Sequence, residues 1–125
     1  MINGEVNIPV ALITGAAGGF GQALTAAFVS QGWRVAAGFH RAPVEEGNFI
    51  HAVPLDVTSR ASVEQAVEKI LSHGGRIDAL INNAGVIPQH RETTVDGFEM
   101  QFAVNHLAYF LLTGLLLEQI GRAHV

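Results

Sequence analysis

Thr14–Gly21, reading Thr-Gly-Ala-Ala-Gly-Gly-Phe-Gly, places four glycines between two segments of different hydrophobic period. Before it, Pro9-Val10-Ala11-Leu12-Ile13 is a short apolar run bounded by a turn former, the pattern of a strand buried on both faces. After it, Phe20, Ala23, Leu24, Ala27 and Phe28 recur at helical spacing and predict a helix over 19–31, with Gly32 just past its end. The glycines therefore stand where a strand turns into a helix. The first N–H groups of a helix lack partners inside it, and that end carries partial positive charge. A phosphate satisfies both needs, and a turn built from Gly and Ala lets it approach the backbone. A flexible turn without a ligand is the plainer alternative, and the strand–helix context weighs against it. The residues argue against a mononucleotide P-loop, because Gln22 follows Gly21 and no Lys occurs before Lys69.

The chain has 125 residues, enough for one domain or part of one. With 49% hydrophobic and 14% charged residues, it is far from a disordered composition. The net charge of -4 provides no basic footprint for nucleic acid. The absence of Cys removes disulfides and Cys-ligated metal. The six His stand at 40, 51, 73, 90, 106 and 124, and none pairs in a compact zinc-ligand motif, so no metal is predicted. Met1–Ile8 lacks the features of a secretory signal. The apolar run Leu107–Leu117 is interrupted by Thr113 and Gly114 and is shorter than the about 20 residues that span a bilayer. The expectation is a cytoplasmic protein with no membrane span.

Trp33–Phe39 reads as a second strand. In dinucleotide folds an acidic residue at its end accepts from the adenosine ribose 2′-OH and favours NAD. Here the residues are Phe39, His40 and Arg41. A guanidinium suits a 2′-phosphate, so NADP is favoured over NAD, with a solvated Arg41 as the alternative. Asn48–Asp56 reads as a third strand whose Pro54 suits an edge or an end. Asp56 or Ser59 can cap the helix that follows, Arg60–His73, whose stripe is Val63, Ala66, Val67, Ile70 and Leu71. Gly74 and Gly75 stop that helix. Ile77–Ile81 is a fourth strand, ending in Asn82-Asn83-Ala84-Gly85. A helix over 98–118 is apolar on most sides and expects burial on more than one face. Asn105 is a polar amide within it that needs partners.

Three motifs carry a resemblance. They are Thr14-Gly15-x-x-x-Gly19-x-Gly21, Asn82-Asn83-Ala84-Gly85, and Asp96-Gly97-Phe98-Glu99-x-Gln101-Phe102-x-Val104-Asn105-His106-Leu107 with Phe110-Leu111-Leu112-Thr113. Together they resemble the short-chain dehydrogenases/reductases, specifically the retinol-dehydrogenase-like branch. The resemblance covers about 9–119 and matches the first half of a family member. It implies an α/β, Rossmann-type doubly wound parallel sheet, here of strand order 3-2-1-4, and binding of NADP or NAD. It implies that Gly15, Ala17, Gly18, Gly19, Phe20 and Gly21 meet the cofactor, with His40 and Arg41 at the ribose. Asp56 and Val57 would meet the adenine, and Asn83, Ala84 and Gly85 would line the cofactor. Position 18 is Gly, where many NADP-dependent members place a basic residue. Asn105 corresponds to the Asn of the family's catalytic tetrad, and the 98–118 helix to one that packs between subunits in a homo-oligomer. The substrate class implied is an alcohol, aldehyde or ketone.

The family's Ser and Tyr-x-x-x-Lys are not in this chain. The only Tyr is Tyr109, and Thr stands at 113. Carbonyl chemistry needs an acid–base group at the oxygen, so the chain is read as one domain, incomplete at its C-terminus, that is inactive and poorly soluble alone. Ile120–Val125 is expected to break the last helix. It back-translates as ATC GGA AGA GCA CAC GTC, a common sequencing-adapter sequence, so the tail is expected to be non-native read-through. The competing reading is a naturally short, non-catalytic dinucleotide-binding or regulatory module.

Overall fold

The computed structural model describes residues 8–84 and 108–122. Its elements in chain order are β1 (Val10–Ile13), α1 (Gly19–Ser30), β2 (Arg34–Phe39), β3 (Ile50–Pro54), α2 (Arg60–Gly74), β4 (Ala79–Ile81) and α3 (Ala108–Arg122). The four strands form one sheet of order β3-β2-β1-β4, all pairs parallel. The register sets Ala11 opposite Val35 on one side and Ala79 on the other. This is the Rossmann-type strand order that the resemblance implies.

Every residue of β1 is buried, because helices cover both faces of the sheet. Val10 and Leu12 join Ala36 and Val53 in the larger core layer under α2 and α3, with Val63, Ala66, Ile70, Leu112 and Leu116. Ile13, Val35 and Ala37 form the smaller layer, packed by Leu24, Phe28 and Val29 of α1. Burying a Leu-sized side chain contributes roughly 1.5–3 kcal/mol relative to leaving it exposed. Pro54 ends the edge strand β3, where its missing N–H breaks no interior ladder.

Local signals explain the helix ends. Trp33 N–H donates to the Phe28 carbonyl at 3.1 Å and Gly32 N–H to the Val29 carbonyl at 3.0 Å, with Gly32 at φ 87°. The Phe28 and Trp33 rings meet edge to face at 5.1 Å. This is a Schellman closure with its apolar clasp. Ser59 caps α2 by accepting from Ser62 N–H at 3.2 Å, and Gly75 ends it in the left-handed region.

Four expectations need correction. The apolar stripe of α1 is not the one the spacing suggests: Phe20, Ala23 and Ala27 are exposed, while Gly21 and Thr25 are buried, flanked by Leu24 and Phe28. Thr25 can be buried because its hydroxyl donates to the Gly21 carbonyl at 2.8 Å. Among its described side chains, α3 buries Leu112 and Leu116 but leaves Phe110 and Leu117 exposed, so one stripe carries its packing. Nor does α3 break at Ile120; it runs to Arg122 through Gly114 and Gly121. A glycine inside a helix costs about 1 kcal/mol relative to Ala and does not by itself end it. β4 is also shorter than expected; Asp78, just before it, still donates its N–H to the Val10 carbonyl at 2.8 Å. Its Oδ2 accepts from Val10 N–H at 2.8 Å and from Arg76 Nε at 2.7 Å.

Candidate functional site

Because the sheet is parallel, the C-terminal ends of its strands share one edge. The residues singled out by the motifs follow those ends: Gly15–Gly21 after β1, His40 and Arg41 after β2, Asp56 and Val57 after β3, Asn83 and Ala84 after β4. The order reverses between β1 and β4, and such switch points are where open α/β sheets bind ligands. Gly85 and Asn105 lie outside the described residues.

The glycines divide by what surrounds them. Gly15 has φ 62°, and a Cβ there would stand 2.9 Å from Ala84 Cα. A Cβ on Gly21 would stand 2.4 Å from the Gly15 carbonyl oxygen and 2.7 Å from Ala16 Cα. Those two glycines are demanded by the fold. A Cβ on Gly19 would meet nothing within 4 Å, and one on Gly18 only the Gly15 oxygen at 3.7 Å. The space above those two is open. Gly18, the N-cap of α1, has no side chain to cap with, and the first turn holds no acidic residue. Among the described residues nothing accepts from the N–H groups of Gly19, Phe20 or Gly21. An accessible, uncapped helix start of this kind can take an anion. Ala17 stands at the rim, where its carbonyl accepts from Gln22 Nε2 at 2.7 Å; the Phe20 ring is 71% exposed.

Thr14, fully buried, joins this turn to the end of β4. Its hydroxyl donates to the Ile81 carbonyl at 3.4 Å and accepts from both Asn83 N–H and Ala84 N–H at 2.9 Å. Asn83 Nδ2 donates to the Gly15 carbonyl at 3.1 Å. From the other side the Tyr109 hydroxyl donates to the Ala84 carbonyl, and Asn82 Nδ2 donates to Thr113 Oγ1 at 3.2 Å. Burial raises the Tyr109 pKa, which keeps that donor protonated. Sequence reasoning did not give Thr14 or Tyr109 a place here. The signal for Thr14 was a hydroxyl closing an apolar run; for Tyr109 it was the four-residue spacing to Thr113, which puts both hydroxyls on one helix face.

At the far side, Asp56 Oδ1 accepts from Thr58 N–H at 3.0 Å and Thr58 Oγ1 at 2.6 Å, while Oδ2 lies 4.0 Å from His40 Nε2. The Val57 side chain packs in the core, leaving only its backbone for a ligand. Arg41 is exposed and makes no ion pair among the described residues. A cavity of about 240 Å³ lies elsewhere, between the strand starts and the last turn of α2, lined by Arg34, Glu46, His51, Ile70 and His73. None of the motif residues borders it. Among the described residues no group of His, Asp and Glu could hold a metal ion, and no helix is long and apolar enough to cross a membrane.

Residues 9–124 match the short chain dehydrogenase family. This chain belongs to that family. Its similarities place it in the retinol-dehydrogenase-like branch of the short-chain dehydrogenases. Retinol dehydrogenase 14 of Mus musculus is 41% identical over 128 residues, covering 85% of this chain and 38% of the relative. Retinol dehydrogenase 13 of Homo sapiens is 51% identical over 71 residues, covering 57% and 22%. Among solved structures, a 3-ketoacyl-(acyl-carrier-protein) reductase from Brucella melitensis, complexed with NADH, is similar with a TM-score of 0.74 and 32% identity. It covers 91% of this chain and 51% of the reductase. The short-chain dehydrogenase chain thus spans about half of that structure and less than half of the curated relatives it matches.

Proposed function

We propose that this chain is the cofactor-binding part of an NADP(H)-dependent dehydrogenase/reductase acting on an alcohol/carbonyl pair. The observation that carries the reading is the open, uncapped start of α1 beneath Gly18 and Gly19, whose lack of Cβ atoms the fold itself does not require. Backbone N–H groups of that turn would hold a pyrophosphate. Asn83 and Ala84, clamped against Gly15, would line the cofactor with Gly85, and Asp56 with the backbone of Val57 would receive the adenine. When bound, a nicotinamide supplies or accepts a hydride. The Brucella reductase, a structural neighbour, is complexed with NADH, which supports a pyridine nucleotide as the ligand class.

The preference for NADP rests on the end of β2. No carboxylate stands at Phe39–Arg41, and Arg41 has no ion-pair partner among the described residues. Its planar fork suits a 2′-phosphate. Asn105 takes the family's tetrad role in this reading, and the exposed Phe110 and Leu117 suit a homo-oligomer through the last helix. Without the Ser and Tyr-x-x-x-Lys residues the chain alone binds nucleotide without turnover. Calorimetric titration of the chain with NADPH and with NADH tests this. NADPH should bind about tenfold more tightly, the scale of a charge-assisted contact, and Arg41→Ala should erase the difference. A chain that binds neither nucleotide contradicts the reading.

A further inference from the structure

Ala84 is held from two sides by different elements. Its N–H donates to Thr14 Oγ1 at the end of β1, and its carbonyl accepts from the Tyr109 hydroxyl on α3. No other described residue donates to that carbonyl. Beneath Ala84, Gly15 has no Cβ, which is the space the segment occupies. Asn83 reaches the same turn through its amide. The height of Asn83–Ala84 over the glycine turn is therefore fixed by a hydroxyl below and a hydroxyl above. One turn along α3, Thr113 bonds Asn82, and on the same stretch Leu112 and Leu116 seat the helix in the core. The helix is thus seated by its leucines, independently of the phenol. The Tyr109 ring itself is only half-buried, outside the fully buried core that Leu112 and Leu116 join.

We propose that Tyr109 is a positioning residue of the dinucleotide site, its hydroxyl setting through the Ala84 carbonyl how closely Asn83–Ala84 closes on the Gly15 turn. The inference rests on the dinucleotide reading given above. It also gives a different sense to Tyr109-x-x-x-Thr113. The spacing resembles a catalytic Tyr-x-x-x-Lys, but this phenol is engaged at the end of β4 and acts through Ala84.

The test uses the full chain with two variants, Tyr109→Phe, which removes only the hydroxyl, and Leu112→Val, which loosens the seat of α3. Each is titrated with NADPH and NADH and melted without nucleotide. Loss of one hydrogen bond to the clamp should weaken the affinity of Tyr109→Phe about fivefold for the nucleotide that wild type prefers. Leu112→Val should lower Tm while holding the affinity of the folded chain within about twofold of wild type. The carbonyl ¹³C resonance of Ala84 should move in Tyr109→Phe and stay in Leu112→Val. Wild-type affinity in Tyr109→Phe, or equal loss in both variants, overturns the positioning role while leaving nucleotide binding intact. Failure of wild type to bind either nucleotide overturns both readings.

Discussion

The starts of α1 and α2 lie at the same edge of the sheet, each a few residues after a parallel strand, and they are finished in opposite ways. At α2 the backbone is closed by its own side chains. Asp56 takes Thr58 N–H, Ser59 takes Ser62 N–H, and the Ser62 hydroxyl accepts from Asp56 N–H at 2.9 Å. At α1 the cap is Gly18, no side chain reaches back, and the first turn is uncharged. A Ser, Thr, Asn or Asp cap is worth about 1 kcal/mol. The turn before α1 forgoes that and gains open space beside free N–H groups. One helix start is closed by its own side chains; the other is left open to an anion.

Substitutions can break or sharpen this contrast. The largest effect is expected from Gly21→Ala. The new methyl would meet the Gly15 and Ala16 backbone, so stability should drop by about 3 kcal/mol or more in denaturant unfolding, the range of severe overpacking. Ser59→Ala should cost about 1 kcal/mol in the same measurement and leave nucleotide affinity unchanged. Gly19→Ala should do the reverse. Its methyl enters empty space in the first turn of a helix, so stability should hold or rise by up to about 1 kcal/mol. Nucleotide affinity should fall at least about tenfold as the methyl occupies the phosphate space, read by calorimetry. If Gly19→Ala binds as well as wild type, the contrast has no functional meaning.

The smallest effect concerns pH and belongs to the opposite edge of the sheet. Burial pushes the Asp78 carboxyl up, but the Arg76 hydrogen bond, Val10 N–H and the Arg76 charge together hold it below its usual 3.8. A depressed carboxylate stabilises above the unfolded value, and that stability is lost as pH falls through the folded one. Burial, the neighbouring His73 and Lys69 lower His51, against the opposing charge of Glu46. The unfolded chain then binds more protons between the lowered value and 6.5. Stability should be full above 6.5 and decline below it. Thermal melts between pH 7 and pH 5 should show the His51 decline, and His51→Gln should flatten it.

Much of this was legible in the sequence because the signals were local. The run 10–13, the glycines after it, the stripe of α2 and the Asn-Asn-Ala-Gly turn each declare an element or a strand end within a few residues. Strand order followed from the family resemblance those motifs carry. What was not legible depends on partners distant in sequence. The buried face of α1 is set by the close approach of Gly21 to Gly15 and by the Thr25 hydroxyl finding a carbonyl, so an apolar count assigned Phe20 and Ala23 to the wrong side. The role of Thr14 requires knowing that β4, almost 70 residues on, lies beside β1. Tyr109 was legible only as a residue in the wrong place for catalysis; its carbonyl partner, 25 positions earlier, is a fact of packing.

The brevity of β4 has its own consequence. It offers three residues, and on the side away from β1 no described strand uses them. Any segment that extends the sheet there finds few rungs to grip, so main-chain bonding alone would hold it weakly. Its adhesion must come from side chains laid across the sheet's faces, which ties growth of the sheet to whatever covers α3.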